Sequence, residues 1–152
     1  MKKLIALLIV PLMMAACIRV DQAADTPVQK EKPKDGAFIH ISKGSEDSHA
    51  VLMALMLADK FSTSNDVLVF FDKQGIELVV KGAPDLQMEP FEGSDVIIER
   101  LLDRNVEILA CPACLKKAGY EESDLRDGVK LAEKERFFDF TEGRILSSRA
   151  SP

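Results

Sequence analysis

Histidine and cysteine are scarce in this chain. Its 152 residues hold two histidines, His40 and His49, and three cysteines, Cys17, Cys111 and Cys114. No His-x-x-x-His occurs, and no second C-x-x-C accompanies Cys111 and Cys114, so a tetrahedral zinc set of the usual kind cannot be completed. The early C-x-x-C of a thioredoxin-like domain is also missing. The glycine of Lys43–His49, "KGSEDSH", lacks the G-K-[ST] of a phosphate loop. Basic charge is short as well: 20 Lys and Arg face 25 Asp and Glu, for a net charge of −5. Backbone binding to nucleic acid needs a basic face, so nucleic acid is not an expected partner. No apolar run approaches the ~20 residues of a membrane-spanning helix. The longest, Leu4 to Ala16, is too short, and no internal repeat is present.

That short run has another reading. Lys2 and Lys3 precede it, which together make residues 1–16 a secretory signal rather than a buried helix with one apolar face. Its end, "MMAAC", places Ala15 and Ala16 directly before Cys17 and resembles the lipobox of bacterial lipoproteins. The resemblance implies that Cys17 is acylated, becomes the mature N-terminus, and anchors an exported protein to a cell-envelope membrane without a spanning helix. The alternative is an ordinary cut within "VDQAAD", where Asp21 or Gln22 would fill the outer small-residue position poorly. Loss of Lys2 and Lys3 leaves 18 basic against 25 acidic residues, a mature charge near −7. Residues 17–35 are polar, carry Pro27 and Pro33 and show no periodicity. They read as a disordered tether reaching on the order of 50 Å when extended.

Residues 36–152 form the expected domain, where short apolar runs alternate with amphipathic stretches. Ala37–Ser42 reads as a strand, and the stretch from Ser45 to Phe61 as a helix capped by Ser45 or Asp47, with Val51, Leu55, Ala58 and Phe61 on one side. Asp66–Phe71 is a nearly continuous apolar run of the kind a strand covered on both faces requires. A third run, Ile76–Val80, precedes a Gly- and Pro-rich loop. A helix capped by Ser94 comes next, then Val106–Ala110 as a fourth strand. Pro112 to Ala118 is helical until Gly119, Lys134–Phe140 is a further helix, and Arg144–Ser148 is the last strand. This alternation predicts an α/β sandwich with a mostly parallel sheet of about five strands.

Chemistry is expected where strands of such a sheet end. Cys111 ends one strand and begins a helix, so free backbone N–H groups should stabilise its thiolate. In an order that sets the first and fourth strands side by side, the Lys43–His49 loop would lie next to it. Cys114, three positions on, faces the same side of the helix and can resolve a persulfide or close a disulfide. Sulfur handling, thiol-disulfide exchange and two-thiolate binding of a soft metal such as copper or zinc all stay open, beside two inert buried thiols. His40 reads as a hydrogen-bonded interior residue and His49 as a surface or packing residue. Met53 and Met56 read as core or interface, and Glu121, Glu122, Asp124 and Asp127 as a solvated turn. Phe137, Phe138 and Phe140 read as packing for a terminal helix or subunit contact.

The runs "FFDKQGIELVV" (Phe70–Val80), "LLDRNVEILACPACLKKAGY" (Leu101–Tyr120), "LRDGVKLA" (Leu125–Ala132) and "RILSS" (Arg144–Ser148) together resemble the DsrE/DsrF-like sulfur-relay family. The resemblance covers residues 37–148. It implies a flavodoxin-like three-layer α/β fold, a homo- or hetero-oligomer, read here as a homo-oligomer, and a strand-end cysteine that carries sulfur as a persulfide, by position Cys111. It implies a sulfur donor and acceptor, protein or small thiol, and no cofactor. Such a protein is a carrier consumed stoichiometrically rather than a turnover enzyme.

Overall fold

The computed structural model describes residues 35–138, 140 and 145–149. The expected signal at 1–16, the tether through residue 34, Cys17 and the side chains of Phe137 and Phe138 lie outside the described residues. The elements run β1 (Gly36–Ile41), α1 (Ser48–Phe61), β2 (Asp66–Phe71), α2 (Ser94–Asp103), β3 (Glu107–Ala110), α3 (Pro112–Lys117), β4 (Lys130–Leu131), α4 (Lys134–Phe138) and β5 (Ile145–Arg149). All five strands pair in parallel in the order β4-β3-β2-β1-β5. The α/β fold with a five-stranded parallel sheet is therefore as expected.

Apolar runs at β1 and β2 become strands because the crossovers cover them from both sides. One face carries Ala37, Ile39, Ile41, Val67, Val69, Phe71, Ile108 and Ala110, which join Val51, Leu52, Leu55 and Ala58 of α1 and Ile97, Ile98 and Leu101 of α2 in one core. Phe71 is the largest fully buried side chain. Each buried Val, Leu, Ile or Phe among them contributes about 1.5–3 kcal/mol by leaving water. Phe38, His40, Leu68, Phe70, Glu107 and Leu109 alternate to the opposite face. There Arg136 of α4 donates to Glu107 at 2.9 Å, which brings α4 to that side of the sheet.

Three details differ from the sequence expectations. Ile76–Val80 is not a strand: Lys73–Leu78 forms a 3-10 helix, and Val80 makes a single antiparallel bridge to Leu125. Its apolar residues are buried in succession rather than alternately, so the run reflects burial and not an extended backbone. The fifth strand is supplied instead by Lys130–Leu131, alongside β3. Ser94 does not cap α2; Gly93 holds that position, and Ser94 sits inside the helix with its hydroxyl accepting from the Leu86 N–H at 2.8 Å. A carboxylate from the preceding loop serves the helix start, Asp85 Oδ1 accepting from the Asp95 N–H at 3.0 Å. By contrast, Asp47 caps α1 as expected, accepting from the Ala50 N–H at 3.2 Å.

Candidate functional site

The strand order decides what surrounds Cys111. Because β2 lies between β1 and β3, the strand leading to Cys111 is not adjacent to β1, and the Lys43–His49 loop is not its neighbour. The Cys111 N–H donates to the Phe71 carbonyl at 2.9 Å, so the chain leaves the sheet beside the end of β2. From that end of β2 the chain enters the 3-10 helix Lys73–Leu78. The Lys43–His49 loop meets this helix instead, through the Ser45 N–H, which donates to Glu77 Oε1 at 2.6 Å.

Cys111 is the N-cap of α3, with extended backbone (φ −65°, ψ 117°) and proline at the first helical position. This junction follows from the residue types: Pro112 cannot donate a strand hydrogen bond, and its fixed φ suits a helix start. The Cys111 carbonyl accepts from the Leu115 N–H at 2.9 Å, and its Sγ accepts from the Cys114 N–H at 3.4 Å. Gly119, at φ +86°, adopts the left-handed conformation that ends the helix, as expected. The fold thus brings Cys111 and Cys114 together, and both are free thiols, half-buried and packed against the core.

The thiolate stabilisation expected at Cys111 is outweighed. Burial raises its pKa above the ordinary thiol value of 9.0, and a hydrogen bond with the Cys114 side chain raises it further. The Cys114 and Ala113 N–H groups pull the other way but count for less. A helix of one and a half turns has few aligned peptides, so its favourable end is weak. Cys111 is accordingly protonated at neutral pH and shares a hydrogen bond with its neighbour.

Next to the pair lies an open concavity of about 590 Å³, lined by Lys73, Gln74 and Glu77 on one side and Cys114, Lys117, Ala118 and Tyr120 on the other. Cys114 lines it; Cys111 does not. Lys73 takes a left-handed backbone (φ +46°), unusual for a residue with a side chain. Among the described residues, neither Lys73 nor Lys117 has a carboxylate within ion-pair distance. None of the wall residues besides Cys114 was singled out from the sequence. The available signal was Gly75 following a strand and three polar residues, Asp72, Lys73 and Gln74, a turn pattern that the apolar letters of Ile76–Val80 obscured.

The remaining candidates fall into place. His40 Nε2 lies 3.0 Å from Asp72 Oδ2 and 3.2 Å from Ser42 Oγ. Serine and aspartate thus meet the same ring nitrogen, which excludes the Ser-His-Asp relay that needs one partner on each. His40 is the bonded interior residue expected, its ring 5.4 Å from Phe70, and His49 is exposed and packs on Phe91 at 5.6 Å. Glu121, Glu122 and Asp127 are exposed, while the Asp124 carboxylate caps its own turn by accepting from the Glu121 N–H at 2.8 Å. Among the described residues, no three His, Cys, Asp or Glu side chains are grouped to hold a metal ion. No helix among them is long and apolar enough to cross a membrane.

A family model, the DsrE/DsrF-like family, matches residues 36–142. Among solved structures, the chain is similar to the YchN protein of E. coli, with 19% identity over 77% of this chain and 100% of that one, and a TM-score of 0.55. It is also similar to MTH1491, a protein of unknown function from Methanobacterium thermoautotrophicum, with 15% identity, 76% and 99% coverage, and a TM-score of 0.56. These likenesses concern the fold. No curated protein matches.

Proposed function

The chain belongs to the DsrE/DsrF-like family, a family of sulfur-relay type, and on that premise we propose that its domain carries sulfane sulfur on the Cys111/Cys114 pair, retained as a persulfide on Cys111. The observation that carries this reading is a free, half-buried cysteine at the end of β3 that caps α3 and whose sulfur accepts the backbone N–H of a second free cysteine, Cys114, at 3.4 Å. Charging a thiol from a persulfide donor is redox-neutral. A new S–S bond forms to the sulfane sulfur, the donor's S–S bond breaks, and the donor leaves as a thiol with the displaced proton. Discharge to an acceptor thiol is the same step in reverse. Partial burial suits a carrier, because a persulfide shielded from bulk thiols survives until its acceptor arrives. Cys114 supplies the alternative exit: its attack on the inner sulfur of the Cys111 persulfide releases hydrosulfide and leaves a disulfide, which an external dithiol must reduce.

The test is mass spectrometry of the Cys111–Cys114 peptide after treatment with polysulfide and capping of free thiols. One added sulfur on Cys111 is the expected result for the wild type, and in Cys111→Ser any added sulfur should be confined to Cys114. A Cys111–Cys114 disulfide as the sole product, with reductase turnover that either substitution abolishes, would identify a dithiol oxidoreductase instead. Copper or zinc retained by wild type and lost from either variant would identify a metal module.

The proposal extends to the setting. Residues 1–16 direct export, Cys17 bears the lipid, and residues 18–35 tether the domain at an envelope membrane in the periplasm. The protein works as a homo-oligomer with a separate donor and acceptor. Fatty-acid labelling of cells should mark the wild type and not Cys17→Ser; label that persists in the variant refutes the anchor.

A further inference from the structure

Both thiols are half-buried, but only Cys114 lines the neighbouring concavity, whose walls carry Lys73 and Lys117. On the reading that the pair handles sulfane sulfur, we propose that the concavity beside Cys114 is the donor site. It takes small anionic sulfane donors, organic persulfides or polysulfide, through Lys73 and Lys117, and Cys114 is the thiol the donor meets first.

Geometry carries the assignment. Cys114 lines the concavity and Cys111 does not, so a molecule seated there lies against Cys114 and not against Cys111. About 590 Å³ lies within the roughly 300–1,000 Å³ typical of small-molecule sites. Two cationic side chains from different elements, the 3-10 helix and α3, converge on it, and no ion pair among the described residues occupies either. Among the described lining residues the one carboxylate, Glu77, has Oε1 engaged by the Ser45 N–H. Hydropersulfides are more acidic than thiols and exist largely as anions at neutral pH. The same lysines that attract such a donor also stabilise the thiolate it leaves behind.

The sequence of transfers balances without oxidant or reductant. The Cys114 sulfur attacks the terminal sulfur of the donor; one S–S bond forms, the donor's S–S bond breaks, and the donor thiolate departs with the Cys114 proton. Cys111, whose Sγ accepts the Cys114 N–H at 3.4 Å, then attacks the outer sulfur of the Cys114 persulfide. The sulfane sulfur moves to Cys111, and Cys114 leaves as a thiolate that takes up the Cys111 proton. Cys114 receives and Cys111 keeps.

Aromatic disulfides of similar size and opposite charge character read this directly: dithiobis-nitrobenzoate is a dianion and dithiodipyridine is neutral. Their reaction rates are compared in Cys111→Ser, which leaves Cys114, and in Cys114→Ser, which leaves Cys111. The dianion should react faster with Cys114 than with Cys111. A lysine on the order of 7 Å from a reagent charge contributes about a three- to eightfold enhancement per unit charge at low salt. Lys73→Gln with Lys117→Gln should remove it, leave the neutral reagent's rate within about twofold, and abolish its salt dependence. Arginine at both positions should restore the preference, and Lys116→Gln, on the same helix but outside the concavity, should not change it. An unchanged dianion-to-neutral ratio in the double variant, an equal fall in Lys116→Gln, or a dianion rate at Cys111 matching that at Cys114 would each overturn the proposal. These rates require no persulfide to persist. Charge selectivity without sulfur retention would therefore support the anion site and refute the sulfur-carrier reading alone.

Discussion

Gly75→Ala should be among the most damaging single-atom additions in this domain. A Cβ at Gly75 would stand 2.5 Å from the Ile41 carbonyl oxygen and 3.3 Å from that of Lys43. Ordinary contacts of this kind begin at 3.4 Å, so the segment must move by on the order of 0.9 Å, against backbone that cannot rotate aside as a side chain would. Gly75 needs no left-handed φ, so the penalty is steric alone. Overpacking of this type costs about 2–3 kcal/mol. For a domain of this size that corresponds to a fall in Tm of about 8–15 °C. Gly82→Ala is the matched control: Gly82 has φ +76° but nothing within 4 Å of its added carbon, so it should lose only the left-handed penalty of about 1 kcal/mol. Calorimetry of the two variants separates close approach from backbone strain. The shift at Gly75 should also reach the chemistry, since Lys73, Gln74 and Glu77 flank it and form one wall beside Cys114. Reaction of Cys114 with an anionic disulfide should slow more than reaction with a neutral one. A Gly75→Ala protein that melts within about 2 °C of wild type, or above Gly82→Ala, would refute the reasoning.

Two further predictions concern pH. Asp85 has its pKa lowered chiefly by the Asp95 N–H and then by Gln87, so its folded-state advantage is present above the ordinary value of 3.8 and is lost as pH falls. Asp85→Ala should cost about 1 kcal/mol near neutral pH as the start of α2 loses its carboxylate, and denaturant midpoints of variant and wild type should converge in acid; a constant gap would refute this. Cys111 has its pKa raised, so its contribution is complete below the ordinary thiol value of 9.0 and declines as pH climbs through that value. Wild type should therefore lose stability between pH 9 and its folded pKa more steeply than Cys111→Ser, and parallel alkaline melting curves would show that the Cys111 thiol is not held protonated.

Legibility differed by element. α1 could be read because three signals agreed: the Asp47 cap, the spacing of Val51, Leu55 and Ala58, and the length of the run. β3 and α3 were equally plain, since Pro112 and Gly119 mark both ends of a short helix. Ile76–Val80 was misread because burial on every side produces an apolar run in a 3-10 helix as readily as in a strand. β4 escaped notice because two residues, Lys130 and Leu131, are too few to show alternation. Ser94 had the residue type of a cap, but its hydroxyl answers to Leu86 and Asp85, residues from a loop whose return could not be seen locally.

Residue order alone determined the parallel α/β class, the two-cysteine junction and the family resemblance, because periodicity, helix-end chemistry and spacing are local properties of the chain. The strand order was decided by tertiary packing, which set β2 beside β3 and replaced the expected neighbour of Cys111 with the Lys73–Leu78 segment. Packing also reversed the expected effect on the Cys111 thiol, since desolvation depends on what covers a group and not on its place in a helix. The convergence of Lys73 and Lys117 on Cys114 has the same origin: residues more than forty positions apart meet only where two crossovers return to the same edge of the sheet.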